Sequence, residues 1–118
     1  MKKLSLVCLS LALAACQQVP SPSPTTPSPL AAQGKAIAEA SCSRCHAIEL
    51  GRSSYSEAPS FPVVANHEGV TAETLSVWLS GAHNYPREMD FSLREAEVNA
   101  LVAYLLTLRD PNFRRPAD

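Results

Sequence analysis

No apolar run in this 118-residue sequence is long enough to cross a bilayer as a helix, which takes about 20 such residues. Lysine and arginine form no block, so nothing points to nucleic acid as a partner. No stretch alternates apolar and polar residues with the period of a strand, and no segment repeats. Without strands there is no βαβ unit, the setting in which a close cysteine pair reads as a thioredoxin-like redox motif. Aromatic residues are scarce at 6%, whereas the hydrophobic content of 46% is ordinary for a globular protein. What remains is a helical chain with room for one domain at most.

Proline is abundant but uneven: five of the ten prolines lie between Pro20 and Pro29, with Ser and Thr between them. Such a segment buries too little apolar surface to fold. In polyproline-like form, at about 3.1 Å per residue, it reaches roughly 40 Å. Ahead of it, Lys2 and Lys3 precede an apolar stretch, Leu4 to Ala15, of the length of a signal-peptide core. That stretch ends in Leu13-Ala14-Ala15-Cys16, which resembles the lipobox of bacterial lipoproteins. The resemblance implies cleavage before Cys16, its lipidation and stable anchoring by several acyl chains. Discarding Lys2 and Lys3 leaves a net charge of −3 with neutral histidines. The expected organisation is a signal peptide over 1–15, a lipidated Cys and linker over 16–29, a folded domain over 30–109 and a polar tail over 110–118.

Within the domain, Ala31 to Ser41 is Ala-rich and predicts a first helix, with Gly34 in its interior at a cost of about 1 kcal/mol against Ala. Residues 47–69 show no period, and Pro59 and Pro62 mark them as loop with one short turn at most. Thr71 reads as the N-cap of a second helix, Ala72 to Ser80, with Leu75, Trp78 and Leu79 on one face and Gly81 at its end. Ser92-Leu93-Arg94-Glu95 matches a capping box for a third helix, Leu93 to Leu108, whose apolar face carries Leu93, Leu101, Tyr104, Leu105 and Leu108. The fold class expected is all-α: three main helices and long loops. A core this small calls for a staple.

Of the four cysteines, Cys8 lies in the signal core and Cys16 is the lipid candidate. Cys42 and Cys45 remain, in Cys42-Ser43-Arg44-Cys45-His46. Cys-x-x-Cys-His is the haem-attachment signature: two thiols on one turn each add to a porphyrin vinyl group, and the adjacent His ligates iron. A zinc site would need two further ligands, for which only His67 and His83 are left.

Beyond the pentapeptide, the region from Leu30 to Leu108 resembles the class I cytochrome c family. Gly34 stands eight residues before the first haem Cys, and Leu101-Val102-Ala103-Tyr104-Leu105 matches the Leu-x-Ala-Tyr-Leu of the last helix. The resemblance implies that these two helices cross at Gly34. It implies one covalent haem c, held by Cys42 and Cys45 with His46 on the iron. It also implies a proline after the His, here Pro59, whose carbonyl accepts the imidazole N–H, and a Met ligand before the last helix, here Met89. The sequence departs from the family in having Ala38 where an aromatic is common, and Pro86 three residues before Met89 in place of Met-Pro.

Met89 lies in a polar loop, where packing explains a lone Met poorly. It is the expected sixth ligand, with His83 as the alternative. Trp78 reads either as core or as a neighbour of the haem propionates, in that case needing a partner for its N–H. The function expected is single-electron transfer between extracytoplasmic redox proteins by a carrier tethered to a membrane on its periplasmic side, with no enzymatic activity and no small-molecule substrate. Gln17 after Cys16 favours the outer membrane where there are two. The alternatives are a ligand-binding or catalytic haem protein with an open sixth site, and the electron-transfer subunit of a larger oxidoreductase.

Overall fold

The computed structural model describes residues 26–82, 87–89 and 91–116. Residues 1–25, with Cys8 and Cys16, lie outside this range, as do His83 and Tyr85. Four α-helices follow in order: α1 (Pro29–Ser41), α2 (Phe61–Ala65), α3 (Ala72–Val77) and α4 (Glu95–Thr107). A π-helical turn, Trp78–Ala82, continues α3, and a 3₁₀ turn, Arg87–Met89, precedes α4. Among the described residues there is no strand, and no helix is long and apolar enough to cross a membrane. The fold is thus the all-α one expected.

Several boundaries differ from expectation for local reasons. Helix α1 begins at Pro29, which the sequence reading places in the linker. Ser28 Oγ accepts the Ala31 N–H at 3.1 Å, and Pro at the first position removes an N–H that would lack a helical partner. Helix α2 lies in the segment expected to be loop. Pro62 does not break it, because it stands in the first turn, where proline is tolerated. Thr71 does cap α3: its Oγ accepts the Thr74 N–H at 3.1 Å, while Thr74 Oγ accepts the Thr71 N–H at 2.8 Å. Gly81 is no helix-ending residue of positive φ; it lies inside the π turn.

The expected capping box at Ser92 and Glu95 is displaced by two residues. Arg94 holds the N-cap position, and Glu97 accepts its backbone N–H at 2.9 Å and its guanidinium at 2.8 Å. Helix α4 therefore starts at Glu95, leaving Leu93 in the preceding extended segment.

The core is built on the crossing of α1 and α4. Ala38 and Ala100 are fully buried, and Leu101, Leu105 and Val98 are the largest side chains sealed from solvent. A Cβ on Gly34 would stand 1.9 Å from the Ala100 carbonyl oxygen and 2.8 Å from Tyr104 Cβ. The glycine is therefore required by the approach of the two backbones, which offsets its helix-propensity cost. At the far end of α4, Asn66 joins two helix termini. Its Nδ2 donates to Pro62 O at 2.8 Å and to Leu108 O at 3.0 Å, and its Oδ1 accepts the Asp110 N–H at 2.8 Å. Arg109 adds bonds from its side chain to Ala65 O and Val70 O. Among these acceptors, Ala65 O and Leu108 O lie at helix C-termini, where carbonyls lack intrahelical partners.

Candidate functional site

The cysteine pair sits where α1 runs out. Cys42 is its C-cap, with its N–H on Ala38 O at 2.9 Å. The next turn closes on Cys42 O, which accepts from Cys45 N at 3.1 Å and from His46 N at 2.9 Å. The pentapeptide is thus one tight turn appended to a helix.

His46 is the one buried polar or charged side chain among the described residues, at 7% exposure. Its Nδ1–H donates to Pro59 O at 2.7 Å. A carbonyl can only accept, so this bond places the proton on Nδ1 and makes Nε2 the acceptor nitrogen of the ring; where a histidine binds a metal, such a partner raises its basicity. The Phe61 ring packs on His46 at 5.6 Å between centroids, tilted by 56°.

The two thiols are unpaired with each other. Burial pushes the Cys42 thiol up to about 11, and the neighbouring Cys45 adds to the effect. This is the reverse of the depressed value that makes a redox-active dithiol nucleophilic. Among the described residues no three His, Cys, Asp or Glu gather as a metal-binding group, so the zinc reading gains no ligands there.

Cys42, Cys45, His46 and Phe61 border one cavity that opens to solvent. The end of α1 and the residues after it contribute Cys42, Cys45 and His46; α2 contributes Phe61 and Val64. The π turn supplies Trp78 and Leu79, the 3₁₀ turn Met89, and the approach to α4 Phe91 and Leu93. Leu101 and Leu105 reach it from α4. Two thiols, an imidazole and a thioether therefore meet on the lining of a mainly apolar cavity. That donor set fits a covalently attached haem, which needs two thioether links, axial ligands and a dry surround.

Of the residues singled out in the sequence, Cys42, Cys45, His46, Trp78 and Met89 share this cavity, and Pro59 touches it through His46. Met89 is half-buried, and Trp78 is 36% exposed. His67 is exposed and away from the cavity, with Nδ1 on Glu68 O at 2.9 Å. Sequence reasoning passed over Phe61, Val64 and Phe91. Phe61 stands two residues after Pro59, a spacing that could have flagged it.

A family model described as cytochrome c oxidase, cbb3-type, subunit III matches residues 29–105, from the first residue of α1 to the last turns of α4. No curated protein and no solved structure matches the chain. The family match spans well over half of the sequence and the whole of the cavity described above; the chain belongs to this family, a c-type cytochrome domain whose relatives carry covalent haem c and transfer electrons.

Proposed function

We propose that the chain is a monohaem electron carrier, with Cys42 and Cys45 as the attachment points, His46 Nε2 as the proximal ligand and Met89 Sδ as the sixth. The observation that carries this reading is the convergence of two thiols, one imidazole and one thioether on a single apolar cavity. There is one Cys-x-x-Cys-His in the sequence, hence one haem. The cofactor supplies a one-electron ferric–ferrous couple, and thioether ligation raises its potential.

The chain's own residues do the rest. Cys42 and Cys45 would hold the cofactor by addition of each thiol across a vinyl group, sulfur to one carbon and hydrogen to the other. Pro59 O orients the imidazole. Leu79, Leu101 and Leu105 keep water from the ligands, and Trp78 stands at the solvent side as a candidate neighbour of the propionates.

The domain organisation read from the sequence belongs to this proposal. Lipidated Cys16 and the Pro-rich segment tether the domain, and redox proteins on the extracytoplasmic side are donor and acceptor. The family description favours a second reading, in which the acceptor is the remainder of an oxidase and this chain is its electron-transfer subunit.

The test is a visible spectrum, oxidised and reduced, of the full chain exported with haem-maturation machinery. A sharp low-spin c-type reduced spectrum with the weak ferric Met–iron charge-transfer band is expected. A c-type spectrum without that band would move the sixth ligand to His83 or open the site; no covalent haem would overturn the reading. In the same host, Cys16→Ala is expected to release a soluble, still red protein, and continued membrane attachment would remove the lipid anchor.

A further inference from the structure

We infer that Phe61 is a positioning residue for the His46 imidazole, setting the plane of that ring as Pro59 sets its tautomer. The inference rests on His46 being an iron ligand, as proposed above.

A histidine side chain ends in a soft, broad torsion, so its ring plane must be set from outside. The bond to Pro59 O pins one point of the ring. Carbonyl oxygens accept over a broad range of directions, so a bond to one does not by itself define the plane of the ring. The tilted contact with Phe61 bounds the ring from a second side.

Phe61 is itself held to the segment that carries the ligand. Its backbone N–H donates to Ala47 O, the residue after His46, at 2.8 Å. Behind it, the Tyr104 ring packs at 6.4 Å with a 49° tilt. Tyr104 OH then returns to the same segment, donating to Ile48 O at 2.8 Å. His46, Ala47 and Ile48 are thus gripped in a closed circuit by Pro59, Phe61 and Tyr104, with Phe61 and Tyr104 both buried. Phe61 also lies on the cavity lining, at the same surface as His46.

The consequence is electronic. The plane of an axial imidazole decides which iron d orbital of π symmetry it overlaps. Together with the orientation of the sixth ligand, it shapes the anisotropy of the ferric spin and the spread of the haem-methyl resonances.

The experiment compares the full-length holoprotein with Phe61→Leu, Phe61→Met and Phe61→Tyr. Visible spectra, electron paramagnetic resonance of the ferric state, proton NMR of the haem methyls and Tm are recorded for each. Leu keeps apolar bulk without a ring, and the adaptable Met serves as a second ring-free variant should Leu fold poorly. Both are expected to retain the low-spin c-type spectrum while shifting and broadening the paramagnetic resonance and redistributing the methyl shifts. Phe61→Tyr should keep the parent signature. Ring-free variants that lose Tm but retain the parental resonance and methyl pattern would make Phe61 a packing residue and overturn the inference. Wild-type protein without covalent haem would instead overturn the reading beneath it, and this inference with it.

Discussion

The two stretches of chain that bring the proposed ligand groups to the cavity are built differently. Residues 42–61 run from a helix cap through one turn into a loop pinned at close intervals. Ala47 N donates to Ser53 Oγ at 3.0 Å, Tyr55 N to Cys45 O at 3.2 Å, and Phe61 N to Ala47 O at 2.8 Å. The described part of residues 78–93 consists of a π turn, one 3₁₀ turn and an extended lead into α4, with Trp78 and Phe91 each 36% exposed. On the proposed reading, the difference suits the chemistry of the two donors. An imidazole offers a directional nitrogen on a planar ring, so both tautomer and orientation must be imposed. A thioether on an unbranched chain with three rotatable bonds can reach a site from an irregular backbone. Short π turns of this kind are frequent at functional sites.

The contrast breaks most severely at Gly34. Gly34→Val drives a branched side chain into the Ala100 carbonyl, separates α1 from α4 and moves the cap that carries Cys42. Overpacking of this kind costs about 3 kcal/mol or more, and the denaturant midpoint should fall accordingly, with reduced haem incorporation. A midpoint equal to the parent's would mean that the helices do not meet there.

Met89→Ala sharpens the comparison from the other side. It removes a half-buried side chain from the less regular stretch, so the folded domain should survive with its c-type reduced spectrum. The potential should fall and the ferric iron should take up added imidazole or cyanide. A spectrum and potential unchanged from the parent would assign the sixth position to His83.

The smallest effect lies at the junction between the second stretch and α4. Arg94 holds the Glu97 carboxyl below the usual carboxylate range, through its guanidinium bond first and its backbone N–H second. Glu97 ordinarily titrates near 4.3. Its contribution to stability is therefore complete above that value and is lost as pH falls through the lower folded value. Glu97→Gln should lower Tm by a few degrees at most at pH 7, and the gap between variant and parent should close in acid. A gap that persists at pH 2 would assign the effect to lost packing and not to charge.

These particulars show which features could be read along the chain. Thr71 and the Leu101, Tyr104, Leu105 face could be read because caps and helical periods are properties of residues within one or two turns of each other. Ser28-Pro29 was equally local, yet it stood at the end of a proline-rich run and was assigned to the linker. Helix α2 escaped because five residues are too few to display a period, and two prolines around it looked like breakers. Ser92 and Arg94 each stand three residues before a glutamate, so two frames for the start of α4 were available. The structure takes the second, with Glu97 bonded to the Arg94 backbone N–H and guanidinium.

The sequence by itself determined the helical class and the Cys-x-x-Cys-His that makes covalent haem the family's chemistry. Each depends on residue type and short spacing, and a turn of chain is enough to express it. The tertiary structure alone decided that the Pro59 carbonyl comes to 2.7 Å from His46 Nδ1, 13 residues away. It also placed Phe61 beneath that ring with Tyr104 behind it, and brought Met89 and Phe91 to the cavity that the thiols border. Such contacts join residues remote in sequence, and they form only once α1, α2 and α4 have buried their apolar faces together.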